Sequence, residues 1–152
     1  KRHSWITFRL GEFYLNYAEA LFQYLGSAEA VTDEFFLTAR DAVNKIRTRS
    51  DVNMPVLPKG IDSDEFWKCY KRERMVELAF EGHRFWDIRR WKEGLTRWNK
   101  PIKGWNIHGE TAEDFYNPIV IQKCSFSTRD YLWPLKEYSM IINRNLCQNY
   151  GW

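Results

Sequence analysis

Apolar residues recur at steps of three and four along residues 6–25. Ile6, Leu10, Phe13, Tyr14, Tyr17, Leu21 and Tyr24 trace one helix face. Phe8, Leu15 and Phe22 form a second stripe, and a helix apolar on two sides is expected to be central, packed by neighbours on both. Gly26 follows as a residue suited to a left-handed C-terminal cap. A second helix is expected from Thr32 or Asp33, both good N-cap residues. Its inner face is Phe35, Ala39, Ala42, Val43 and Ile46, and it stops before residues 55–58, where two prolines and the following Gly60 enforce a loop. The pair reads as an antiparallel helical hairpin with a short connection.

Asp62 and Glu65 open a third helix in the manner of a capping box. It is predicted to run to about Phe80 and to stop at Gly82. A shorter helix over residues 84–92 is closed by Gly94. From Leu95 to Phe126 the periodicity is lost. Trp98, Trp105 and Ile107 sit among Pro, Gly and Asn, and residues 119–121 form a β-branched run, so loops with one short hairpin are expected. The tail has a helical turn near residues 139–142 and then an Asn-rich, extended segment. The predicted class is mainly all-α: tetratricopeptide-like helical hairpins over residues 1–94, then a loop-rich region and tail over 95–152. The small-residue pattern of that repeat is only faint, in residues 15–20.

Composition narrows the function. The 152 residues are 44% hydrophobic and 28% charged, a globular balance long enough for a real core. The net charge is +3, with Lys and Arg interleaved among Asp and Glu, which argues against a nucleic-acid footprint. No stretch approaches a membrane-spanning run. With no initiating Met and no signal peptide the chain reads as a fragment or processed product. Aromatic residues make up 17%, including eight Trp. An aromatic core, a ligand platform and a protein interface all compete to explain them. Cys69, Cys124 and Cys147 lack metal-type spacing, and an odd number leaves at least one unpaired within the chain. His3, His83 and His108 are scattered, and there is no phosphate loop or nucleophile elbow, so no metal or cofactor is expected.

Residues 73–91 carry the most chemistry. Glu73, Glu77 and Glu81 are spaced by four, which lines three carboxylates along one helix face beside Phe66 and Tyr70. Like charges at that spacing repel, and carboxylates drawn from water need cations or a proton. Arg72, Arg74, Arg84, Arg89 and Arg90 lie nearby in sequence, and Arg47 and Arg49 end the second helix. Their planar forks can grip a carboxylate with two hydrogen bonds. The expected result is a structural ion-pair network of Arg47, Arg49, Glu73, Glu77, Glu81, Arg84, Asp87, Arg89 and Arg90. The alternative is an acid/base pair of the glycoside hydrolase kind, ~5 to 9.5 Å apart with one raised pKa. Crowding by arginines pushes carboxylate pKa values the other way.

The stretch ELAFEGHRFWDIRRW over residues 77–91 resembles the C-terminal hallmark of the SusD/RagB family, a helix end reading ELAFEGHR that runs into D-(L/I)-R-R-W. FRLGEFYLNYAEAL over residues 8–21 is similar to the family's RLAEVYLNYAEA. Asn44, Ile46, Arg47 and Arg49 match its N-x-(V/I)-R-x-R. In the tail, Pro134, Asn143, Asn145, Leu146, Gln148, Asn149 and Gly151 keep the register of the family terminus. Lys136, Ser139, Arg144 and Tyr150 depart from it, and Gly11 replaces a usual Ala.

The resemblance implies a non-enzymatic, extracellular-facing protein of the outer membrane and cell surface, tethered through a lipidated N-terminal cysteine that this chain does not contain. It implies a lid on a TonB-dependent outer-membrane transporter that captures oligosaccharide or peptide nutrients. The chain would be the C-terminal scaffold, completed by a missing N-terminal part. Isolated, it would expose helix faces and be marginally stable or associate. Within it, the best candidates for a glycan contact are Trp98, Trp105 and Tyr116, with Asn99 and Asn106 as hydrogen-bonding neighbours. A helical-repeat module binding a peptide or protein is the second reading, and a glycoside hydrolase the weakest.

Overall fold

The computed structural model describes residues 7–152, so the expectations for His3 and Ile6 lie outside it. The described residues are mainly helical, with one two-stranded sheet. The chain divides into two compact units, one ending at Arg84 and the other running from Phe85 to Trp152.

The first unit is built on α1 (Leu10–Leu25), α2 (Ala39–Arg47) and α3 (Ser63–Glu77), each packed on the other two. Leu15, Ala18, Leu21 and Phe22 of α1 are buried with Ala39, Ala42, Val43 and Ile46 of α2 and with Phe66 and Tyr70 of α3. The Phe22 ring sits 4.9 Å from Phe66 and stacks on Trp67 at 5.7 Å. The Tyr70 hydroxyl lies within hydrogen-bond distance of the Leu15 carbonyl (3.1 Å) and the Glu19 carboxylate (2.7 Å). Helix α1 ends as expected at Gly26, which is left-handed (φ 69°) and donates its N–H to the Phe22 carbonyl at 2.8 Å.

Three expectations are corrected here. Within the first unit the two stripes of α1 are covered unequally: Leu21 is buried and Tyr17 packs on the 35–37 loop, whereas Leu10, Phe13 and Tyr24 are exposed. Helix α2 begins after Thr38, whose hydroxyl caps the Asp41 N–H at 2.9 Å, and not at Thr32 or Asp33. The Thr32 hydroxyl is spent on a local turn, accepting from the N–H groups of Glu34 and Phe35. Phe35 therefore lies in a loop and not on the α2 face. Helix α3, capped by Asp62, stops at Glu77 and not at Phe80, because Phe80 itself turns left-handed (φ 66°) ahead of Gly82.

The loop after α2 is fastened from within. Buried Asn44 accepts the Leu57 N–H at 2.7 Å and donates to the Leu57 carbonyl at 3.3 Å, so its amide completes a strand-like pairing that the prolines would otherwise prevent.

The second unit contains α5 (Gly94–Arg97), β1 (Ile102–Gly104), α6 (Ala112–Tyr116), β2 (Ile119–Gln122) and α7 (Glu137–Ile142), and takes in most of α4 (His83–Arg90). Helix α4 is closed by left-handed Lys92 (φ 58°) and not by Gly94. The Lys92 N–H reaches the Arg89 carbonyl and the Glu93 N–H reaches that of Ile88, the paired bonds of a Schellman motif. Gly94 is needed for another reason: a Cβ there would lie 2.3 Å from the Phe126 ring.

The expected hairpin forms from β1 and β2, antiparallel, with an irregularity after Ile102. Its connection holds α6, which puts Tyr116 on a helix instead of a loop. The tail is tied by side-chain amides. Gln148 bonds both backbone groups of Leu135, and Asn149 donates to the Trp133 carbonyl at 2.6 Å.

Candidate functional site

The three acids face guanidinium groups contributed by separate elements of the first unit. Arg47, in the last turn of α2, pairs with Glu73 and also donates to the Pro55 carbonyl at 2.7 Å. Arg49, just past that helix, donates to Glu77 at 2.8 Å. Arg9, immediately before α1, grips Glu77 through Nη1 and the Glu77 carbonyl through Nη2, while its Nε meets both oxygens of Glu81 at 2.9 Å. Glu73 and Glu77 are mostly withdrawn from solvent, with side chains 13% and 11% exposed, so their charges have left bulk water only with cations beside them.

The electrostatics follow from these contacts. The hydrogen bond from Arg9 holds the Glu81 carboxyl below its usual range, against the opposing effect of burial. The same bond to Glu81 raises the Arg9 guanidinium, so it stays charged. A general acid needs the reverse shift.

Arg9 is absent from the network read from spacing, because it lies 68 and 72 residues from the two acids it holds. A signal was present all the same: it is the Arg of the RLAEVYLNYAEA-like segment. Gly11 belongs to the same arrangement. A Cβ on Gly11 would lie 2.8 Å from Arg9 Nη1 and 2.9 Å from Glu77 Oε1, so the missing side chain lets the pair lie against α1.

The remaining members of the expected network lie on α4. Arg84 is half-buried in the first turn of α4. Buried Asp87 pairs with Arg90 of the same helix at 2.9 Å, and Arg90 lies 4.8 Å from the Trp91 ring. Arg89 has a different purpose within its unit. Its guanidinium lies 3.6 Å from the Phe85 ring and 4.6 Å from Trp98, and donates to the carbonyls of Phe85 and Asp130. Burial lowers its pKa from the usual value. Arg89 is thus a cation packed among rings and carbonyls rather than a carboxylate clamp.

Trp98, Trp105 and Tyr116 are not one platform. Trp98 is half-buried beneath Arg89, 5.1 Å from Phe126 and 5.6 Å from Phe85, as part of the packing of its unit. Its neighbour Asn99 is committed to the backbone, accepting from the Phe126 N–H at 2.7 Å and donating to the Leu95 and Phe126 carbonyls. Trp105 and Tyr116 do come together, 5.7 Å apart and nearly perpendicular. Phe115, which spacing did not single out, completes the group. Trp105 is 54% and Tyr116 66% exposed.

Among the described residues, no group of three or more His, Cys, Asp or Glu side chains is placed to hold a metal ion, and no helix is long and apolar enough to cross a membrane. All three cysteines are free.

An Arg-clamped row of acids joining the start of α1, the end of α2 and the end of α3 carries the motifs noted in the sequence. Residues 1–152 match the SusD family across their full extent, and the chain belongs to that family. It is 31% identical to the SusD-like protein P2 of Formosa agariphila over 96% of this chain and 25% of that protein. The solved structure of BT4246 superposes on all of it with a TM-score of 0.83 and 31% identity, using 24% of its own chain. A SusD-like protein of Bacteroides fragilis, BF3747, matches 97% of it with a TM-score of 0.75 and 32% identity, over 26% of that chain. The chain therefore spans about a quarter of the length of these relatives.

Proposed function

We propose that this chain is the C-terminal scaffold of a nutrient-binding lipoprotein of the outer membrane, one that acts as the lid of a TonB-dependent transporter and captures oligosaccharides without cleaving them. The observation that carries this reading is the state of Glu73, Glu77 and Glu81 in a chain of the SusD family. Each acid is held by arginine, so each braces the elements that its partner joins. On this reading the surface anchor and most of the ligand site belong to the rest of the full-length protein.

Within the chain, the candidate sugar contact narrows to Trp105 and Tyr116. Two exposed rings at right angles offer one face for stacking and one edge for a second contact. The test is calorimetric titration of oligosaccharides into the full-length protein and its Trp105→Ala variant. The reading expects binding by the parent and affinity lower by ~10-fold in the variant, a loss of ~1.4 kcal/mol, with unchanged thermal stability. Equal affinity of parent and variant would remove Trp105 from the site. Binding of peptides in place of sugars would favour a peptide-importing member of the family.

A further inference from the structure

Arg89 carries a charge that its own unit leaves unmatched. Among the described residues its hydrogen bonds go to carbonyls alone: Nε donates to Asp130 and Nη1 to Phe85, both at 3.3 Å. Both N–H groups of Nη2 are left without an acceptor. Burial lowers its pKa, and the Asp130 charge offsets this only in part. The rings of Phe85 and Trp98, at 3.6 and 4.6 Å, hold the guanidinium in place.

The same guanidinium borders a groove of about 240 Å³, lined by Arg89, Asp130, Leu132, Trp133, Pro134 and Trp152. Trp133 is 60% and Trp152 44% exposed. The Trp152 ring is fixed, since its indole N–H lies 3.1 Å from the carbonyls of both Arg129 and Leu132, and the Arg129 guanidinium sits 4.6 Å from the ring. The groove is therefore built before any ligand arrives. Two guanidinium groups stand around it against one carboxylate, that of Asp130, whose Oδ2 already accepts from the Ser127 N–H and hydroxyl.

We propose that this groove binds a hexuronate unit of an acidic oligosaccharide, with the sugar carboxylate on Arg89 and the sugar ring against Trp133 and Trp152. A planar guanidinium fork matches a planar carboxylate, and a ligand anion there would supply the charge partner that the protein withholds. The indole rings offer flat apolar faces to the C–H side of a pyranose, and Asp130 Oδ1, 3.9 Å from Arg129, can accept from a ring hydroxyl. The space is smaller than the ~300 to 1,000 Å³ of a pocket for a drug-sized ligand, so it suits one sugar unit and not a whole oligosaccharide. The inference rests on the saccharide-binding reading above and adds to it the charge of the nutrient and a contact distinct from Trp105 and Tyr116.

The experiment titrates the full-length protein, by calorimetry, with oligomers of galacturonate, glucuronate and mannuronate, with the methyl ester of each, and with neutral and sulfated oligosaccharides. At least one acid is expected to bind ~10-fold more tightly than its own methyl ester, an advantage that shrinks as salt is raised. Trp133→Ala, at an exposed ring, should weaken binding of that acid by ~10-fold with unchanged Tm. Arg89→Gln should bind acid and ester alike. Equal binding of acid and ester by the parent would overturn the proposal, as would undiminished affinity in Trp133→Ala or a preference for a sulfated sugar over every uronate. These readouts stand even if the Arg89 variant fails to fold. Binding of neutral oligosaccharides with no gain for the acids would sink this inference alone, whereas binding of no saccharide at all would sink the reading beneath it as well.

Discussion

Replacing Glu77 with Gln separates two opposite expectations for the acid row. If Glu73, Glu77 and Glu81 simply repelled one another along a helix face, neutralising the middle one would stabilise the protein. In the structure Glu77 accepts from both Arg9 and Arg49, and its side chain is only 11% exposed. Arg9 is 23% exposed and also holds Glu81, whereas Arg49 is 39% exposed and closer to a surface ion pair. A charge-assisted bond at the better-buried contact is worth about 2 kcal/mol. The Arg49 contact, screened by solvent, adds about 0.5 to 1 kcal/mol. Glu77→Gln should therefore destabilise the first unit by ~2 to 3 kcal/mol, with the lower bound favoured because the amide oxygen can still accept. Glu77→Leu, which removes a shared carboxylate from Arg9 and Arg49 and puts an apolar group beside both, should cost more. Native-state hydrogen exchange of the full-length protein reads this locally. Amides of α1 and α3 should exchange roughly 30- to 150-fold faster in Glu77→Gln, while those of the second unit stay unchanged. Slower exchange in Glu77→Gln, or no change in either variant, would refute the clamp.

Three further outcomes follow from individual contacts. Asn44→Ala removes both bonds to Leu57, stranding its buried N–H and leaving its carbonyl only the longer 3.5 Å contact from Arg40, at a cost of about 2 to 3 kcal/mol measurable by urea unfolding, with residues 55–60 becoming protease-sensitive. Gly94→Ala places a methyl group 2.3 Å from the Phe126 ring and should cost about 1 to 3 kcal/mol, seen as a lowered Tm and altered near-ultraviolet circular dichroism. For pH, the Glu81 carboxyl is depressed in the folded state by Arg9, so its stabilisation is complete above the ordinary value of 4.5 and is lost as pH falls through the lower folded value. Denaturant midpoints measured from pH 7 to pH 3 should fall only below that ordinary value. The Glu81→Gln variant should lack this share of the decline.

Much of the helical framework was legible because burial writes a period into the chain. Ala39, Ala42, Val43 and Ile46 recur as one face, and that face is buried. Element ends were harder to read, since several residues can supply the same terminating geometry. Gly94 looked like a stop, yet Lys92 adopts the left-handed conformation and Gly94 accommodates Phe126. Thr32 looked like a cap, but its hydroxyl is consumed by its own turn, and Thr38 performs the role. The acids of the candidate site were visible from their spacing of four. Their partner Arg9 was not, because a pairing across more than sixty residues leaves no local period. Arg89 was misassigned for a related reason: charge in the sequence does not reveal that the nearest groups in space are rings.

A scaffold of a binding protein requires that the full-length protein bind an oligosaccharide and leave it intact. Oligosaccharides that give a calorimetric binding signal can be incubated with micromolar protein for a day and then weighed by mass spectrometry. Recovery of the starting oligosaccharide alone, from the parent and from Glu77→Gln alike, is the predicted result. Shorter products formed by the parent and abolished by Glu77→Gln would mean that the acid row performs chemistry, and would contradict the scaffold.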